Sequence, residues 1–222
     1  MTVKLKRMDS SDRRVVVLVA LPEEAAALKS GDRLEVFVSG IGKVAAAIAA
    51  QRACDVMEPR ALISIGLAGG IGSESEPGRL IVASAAVQHD FDARPLTSAR
   101  GSTVYTANSD VAERLERAAE SVVEDARLIR SGVILTGDQI IRSAASRDAI
   151  LADFPDGACF DMETAAVAQV AHANHVPWGG VRITSDAADE NFNPDAVLGF
   201  GAKTASELFA KILTAFVRRD GE

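Results

Sequence analysis

Three carboxylates stand where a chain of this pattern would carry out chemistry. Glu24 follows the apolar run Val15-Val16-Val17-Leu18-Val19-Ala20, Glu163 follows Asp161-Met162, and Asp186 follows Gly180-Val181-Arg182-Ile183-Thr184. Each has an ordinary explanation by itself: an acid in the first turn of a helix complements the helix dipole. Three acids from separate strand ends, brought to one crevice, suit general acid–base work on a polar small molecule. Glu163, at a helix start, is favoured as an anion and is therefore a good acceptor for sugar hydroxyls.

The glycines come next. Gly40-Ile41-Gly42-Lys43 is too short for a phosphate loop and is followed by Val44 rather than Ser or Thr; Ala45 also breaks the dinucleotide pattern. A tight strand-to-helix turn accounts for it. Gly66-Leu67-Ala68-Gly69-Gly70 directly follows a buried strand, and such a turn lets backbone pass close to a ligand. His89-Asp90-Phe91-Asp92 has no second group at metal-site spacing, since His172 and His175 are remote, so no metal is expected. Cys159 reads as a core cysteine, and no Gly-x-Ser-x-Gly elbow is present.

These residues hang on an alternation of strands and helices. Strands are expected at Val15–Ala20, Leu34–Ser39, Ala61–Ile65, Leu80–Val87, Val133–Leu135 and Gly180–Thr184. Helices are expected from Glu23, from Lys43 to Met57, from Asp110 with a capping box, from Asp161 to about His175, and at the end with Leu208, Ile212 and Phe216 on one face. Gln88 to Asn108 shows no period and reads as a long loop of functional type. Alternation implies a mixed or parallel sheet covered on both faces, with the ligand crevice at the carboxyl ends of its strands.

Composition narrows the class. With 48% hydrophobic and 25% charged residues over 222 positions, the chain can form a packed core, and one domain spanning 1–222 is expected, with a polar leader over 1–14. The net charge of −7 and the lack of a basic run argue against nucleic acid or an anionic membrane surface as partner. Two cysteines, Cys54 and Cys159, fit a reducing, cytoplasmic setting. The longest apolar run, Val15 to Leu21, falls well short of the roughly 20 residues of a membrane span.

Taken in order, the motifs resemble the nucleoside phosphorylase superfamily, and within it the 5′-methylthioadenosine/S-adenosylhomocysteine nucleosidases. The resemblance runs from Val15 to about Val217 through Ala20-Leu21-Pro22-Glu23-Glu24, Ser39-Gly40-Ile41-Gly42-Lys43-Val44-Ala45-Ala46, Gly66-Leu67-Ala68-Gly69-Gly70, His89-Asp90-Phe91-Asp92, Thr136-Gly137-Asp138, Asp161-Met162-Glu163-Thr164-Ala165-Ala166 and Thr184-Ser185-Asp186-Ala187-Ala188-Asp189. It implies a three-layer α/β/α sandwich with a central mixed β-sheet, working without a cofactor as a homodimer on a small-molecule nucleoside.

It further implies that Glu24 activates the water attacking the anomeric carbon and Asp186 protonates adenine at N7, releasing adenine. Met162 and Glu163 hold the ribose, Gly69 approaches the substrate through its backbone, and Ile141 binds adenine through main-chain groups. An acid on the base side and a base on the water side are the minimum equipment for such cleavage.

This sequence departs from the family pattern at Leu67, where a small or hydroxyl residue is usual, at Ile140, where an aromatic often stacks, and in a short loop over 91–108. Rival readings are a phosphate-dependent phosphorylase, including the hopanoid-pathway type, a futalosine-type hydrolase, and a catalytically silent nucleoside-binding protein.

Overall fold

Val15 to Val19 are all buried, as a continuous β-branched run requires when both faces of its sheet are covered. In the computed structural model, which describes residues 13–93 and 104–218, this run is β1. It is followed by β2 (Leu34–Val38), α1 (Lys43–Met57), β3 (Ala61–Gly70), β4 (Leu80–Gln88), β5 (Val104–Thr106), α2 (Ser109–Glu120), β6 (Ile129–Thr136), α3 (Ala144–Asp153), β7 (Gly157–Asp161), α4 (Thr164–Ala173), β8 (Trp178–Asp186), α5 (Pro194–Phe200) and α6 (Ser206–Val217). The expected leader falls almost wholly, and the middle of the expected long loop wholly, outside the described residues.

The described strands form one mixed eight-stranded sheet in the order β2-β1-β3-β7-β6-β4-β5. β8 pairs in parallel with β3 and antiparallel with β4. The strands β3, β8, β4, β6 and β7 therefore close a ring, in which the carboxyl ends of β3 and β7 meet where Gly69 pairs with Phe160, and those of β6 and β7 where Thr136 pairs with Asp161. Alternate β1 residues serve opposite layers. Val15, Val17 and Val19 pack with Leu115 of α2 and with Phe209 and Ile212 of α6, while Val16 and Leu18 pack with Ala46 and Ala50 of α1 and Ala165 of α4. Each fully buried Val or Leu contributes about 1.5–3 kcal/mol. The three-layer α/β/α arrangement implied by the family resemblance is present, with both faces of the sheet covered as the alternation of elements requires.

Several local expectations differ from the structure. The segment after Leu21 makes one helical bond, Ala25 N to Leu21 O, and then three-residue turns instead of a helix. Only Ala25 and Leu28 of this segment pack against the core, too narrow an apolar face to sustain a short helix. Gly66 to Gly70 is not a turn. β3 runs through it, with a register shift at Ala68/Gly69, and Gly69 and Gly70 pair with Phe160 and Cys159 of β7. α2 is capped by Asn108, whose side chain accepts from Val111 N, so the cap lies two positions before Asp110. Asp161 and Met162 do not open a helix: Asp161 ends β7, and Glu163 is the cap of α4. Within the long loop, Val104–Thr106 pairs with β4 as β5. α3, β7 and α5 carried too little sequence period to be placed; neither α3 nor α5 buries a residue fully.

Candidate active site

All six residues singled out for chemistry or binding line one cavity of about 200 Å³ at the carboxyl ends of the strands: Glu24, Gly69, Ile141, Met162, Glu163 and Asp186. Its apolar wall includes Leu21, Ile41, Leu67, Ile140, Phe160, Phe192 and Val197. Phe160 and Phe192 supply the aromatic surface that Ile140 does not. The side chain of Ile141 is buried in a small cluster with Leu135 and Phe160.

Glu24 reaches inward from the turn after β1 and is 4% exposed. Oε1 accepts from Leu67 N at 2.7 Å and Oε2 from Leu21 N at 2.9 Å. Burial raises its pKa, against the opposing pull of those amides and of Arg182. A carboxyl that is easily protonated is suited to take a proton from water. Gly66 is required here by space, because a Cβ would stand 2.7 Å from Arg182 Nη1 and 2.9 Å from Glu24 Oε1.

Asp186 is the last residue of β8 rather than part of the loop beyond. Its Oδ1 accepts from Ala188 N at 2.9 Å, and Ser185 Oγ donates to its Oδ2 at 2.8 Å. A Cβ on Gly69 would lie 3.3 Å from Asp186 Oδ1. Gly66 and Gly69 thus bring the backbone of β3 against Glu24 and Asp186 in turn.

Glu163 caps α4 by position, and its Oε1 accepts from Gly42 N at 2.9 Å. Burial, then the charge of Asp161, push its pKa up to about 7. Behind it lies Arg182, which the sequence reading passed over. Its Nε donates to Asp161 Oδ2 at 2.9 Å, its Nη2 donates to Ser64 Oγ at 3.0 Å, and Nη2 stands 3.7 Å from Glu163 Oε2. Burial alone would raise Asp161, but the guanidinium and bonds from Thr136 and Thr164 hold it below the usual carboxylate range. Arg182 Nη1 is buried without a protein partner, on the Gly66 side next to Glu24. A charge in the middle of the apolar run Val181-Arg182-Ile183 was the available signal, since such a residue is almost never buried unpaired.

Comparison with known proteins agrees with this geometry. Residues 26–218 match the family model described as Phosphorylase superfamily. A 5′-methylthioadenosine/S-adenosylhomocysteine nucleosidase of Actinobacillus succinogenes is 33% identical over 190 residues, which cover 83% of this chain and 82% of that protein. The nucleosidase of the same name from Neisseria meningitidis, solved with methylthio-immucillin-A, superposes with a TM-score of 0.83 at 26% identity, over 92% of this chain and 98% of that one. A futalosine hydrolase mutant of Helicobacter pylori shares the fold, with a TM-score of 0.80 at 23% identity over 92% of this chain and 98% of its own.

Proposed function

The chain belongs to the phosphorylase superfamily, and on that premise we propose that it hydrolyses the N-glycosidic bond of 5′-methylthioadenosine, S-adenosylhomocysteine or both, releasing adenine. It is an N-glycosyl hydrolase. The observation that carries the reading is the meeting of Glu24, Glu163 and Asp186 in one cavity with apolar walls.

Glu24, as the base, takes a proton from a water that attacks the anomeric carbon. Arg182 Nη1, the buried donor next to Glu24, lies behind that carboxylate and not on the cavity wall. Glu163 as an anion accepts from the ribose hydroxyls, with Met162 packed against the sugar. Asp186 delivers a proton to N7 of adenine, which makes the purine a competent leaving group as the sugar becomes oxocarbenium-like. The main chain of Ile141 binds the adenine edge, and Gly69 lets β3 lie close beneath the substrate.

Water rather than phosphate fits this lining. The described residues around the cavity include Glu24, Asp161, Glu163 and Asp186 but neither Lys nor Arg. A phosphate dianion needs convergent cationic or amide donors, and here it would face carboxylates. Leu67 adds an apolar side chain where a hydroxyl could have served it.

The chain acts as one domain and as a homodimer in the cytoplasm. Support for the dimer comes from Val44, Ile48 and Val56 of α1, and from Ile41 and Ile140 at the cavity, each more than half exposed. Such an apolar surface marks an interaction site. Cys54 and Cys159 form no disulfide among the described residues, as a reducing compartment favours. No described helix is long and apolar enough to cross a membrane. The test is a panel of adenosine, 5′-methylthioadenosine, S-adenosylhomocysteine and futalosine, with free base followed by chromatography. Preference for the two thionucleosides supports the reading, and preference for futalosine overturns its substrate assignment.

A further inference from the structure

Three motifs take no part in the reaction outlined above, and the fold ties them together beside Glu163: Gly40-Ile41-Gly42-Lys43, His89-Asp90 and Gly137-Asp138. The start of α1 is unusual. Gly42 is its cap, with φ 95°, so no cap side chain is present, and the first turn holds no acid. The free amides of a helix start need acceptors, and here other elements supply them. Gly42 N donates to Glu163 Oε1 at 2.9 Å, and the next amide, Lys43 N, donates to Asp138 Oδ1 at 2.8 Å. Asp138 is itself held, because its N–H donates to Asp90 Oδ2 at 2.9 Å. Asp90 Oδ1 in turn receives the Lys43 ammonium at 2.5 Å.

Successive amides do not orient independently. Fixing the Lys43 amide fixes the peptide plane between Gly42 and Lys43, and so limits where the Gly42 amide can point. A glycine at positive φ has otherwise the freest backbone of this segment. A Cβ on Gly42 would also come within 3.1 Å of Asp138 Oδ1 and crowd the carboxylate at this spacing.

We propose that Asp138, braced by Asp90 and Lys43, is a positioning residue that holds the start of α1 so that the Gly42 amide aims Glu163 at the ribose hydroxyls. The inference rests on the reading of Glu163 as the ribose acceptor. It concerns the sugar side alone, because Glu24 and Asp186 are held by other amides, those of Leu21, Leu67 and Ala188.

Two variants test it. The Asp138 side chain is 48% exposed, so its truncation leaves the core packed. Asp138→Ala removes the acceptor for Lys43 N, whereas Asp138→Asn keeps an oxygen in its place. With 5′-methylthioadenosine, Asp138→Ala should raise KM roughly tenfold, the scale of a lost hydrogen bond to a charged group, with kcat nearly unchanged. Asp138→Asn should restore KM. With the 2′,3′-dideoxy analogue, which offers Glu163 no hydroxyl, variant and unaltered chain should have nearly equal kcat/KM. An unchanged KM in Asp138→Ala, or equal losses on both nucleosides, overturns the proposal. If the unaltered chain releases no adenine, the nucleosidase reading fails and takes this inference with it; that control is read before any variant.

Discussion

Arg182 Nε meets Asp161 Oδ2 at 2.9 Å in an ion pair closed to solvent, with the two side chains 1% and 0% exposed. The pair joins β8 to the end of β7 and sits directly behind Glu24 and Glu163. Its geometry is nearly complete: Asp161 also accepts from Thr164 N at 2.8 Å and from the hydroxyls of Thr136 and Thr164. Buried charges persist only when they are satisfied in this way.

Breaking that pair from one side should be costly. Asp161→Asn removes the nearest counter-charge of a buried guanidinium and leaves only Glu163 at 3.7 Å and Glu24 close by, and the expected loss is about 3–5 kcal/mol. Thermal unfolding should register it as a drop of roughly 10 °C for a domain of this length. A melting temperature within about 2 °C of the unaltered chain would show that Arg182 finds its neutralisation in Glu24 and Glu163 instead.

Glu24→Gln should lower kcat by ~10² or more, since an amide cannot take the proton from water. The structure adds a second effect that its expected place at a crevice did not suggest. Both carboxylate oxygens accept backbone N–H groups, so the amide nitrogen of Gln must oppose one of them. A stability loss of about 1–3 kcal/mol should accompany the kinetic loss. Near-normal turnover with intact folding would move the base role to another group.

Asp186→Asn should separate the two halves of the reaction. Release of adenine, which needs a proton on the leaving group, should fall steeply. Cleavage of a nitrophenyl riboside, whose leaving group needs none, should fall much less. Equal losses on both substrates would place Asp186 on the sugar rather than the base.

The pH dependence should carry the signature of Glu163. Its pKa is lifted to about 7 by burial first and by Asp161 second, and an acceptor for hydroxyls must be ionised. The acid limb of kcat/KM should therefore bend near pH 7, with sugar binding gained as pH rises. Stability moves in the opposite sense. A carboxyl with a raised folded-state pKa stabilises the fold fully below the ordinary 4.5, and that contribution is lost as pH rises through about 7. The urea midpoint should thus decline between about pH 4.5 and 7 and level off above that, and Glu163→Gln should flatten that decline. An unchanged slope in the variant would assign the titration elsewhere.

Much of this site was legible in the sequence, for identifiable reasons. Val15 to Val19 declares a buried strand by an unbroken β-branched run, and Ala46, Ala50 and Ala53 mark the face of α1 that packs on it. Acids placed just after such strands fall where an α/β sheet gathers its ligands. What stayed hidden depends on contacts remote in sequence. Gly66 and Gly69 looked like part of a turn because they give clearance for Arg182, Glu24, Asp186 and Ala188, which no local pattern encodes. The capping of α1 by Asp138 and Glu163 joins residues 95 and 121 positions apart. Arg182 was the exception, visible as a charge inside an apolar strand.

In hydrolysis water, not phosphate, accepts the sugar. The most direct measurement follows 5′-methylthioadenosine in phosphate-free buffer and again with added inorganic phosphate, separating adenine, free methylthioribose and its 1-phosphate. The acid-lined cavity predicts adenine and the free sugar in equal amounts, at a rate that added phosphate does not raise. A sugar 1-phosphate formed only when phosphate is present would contradict it.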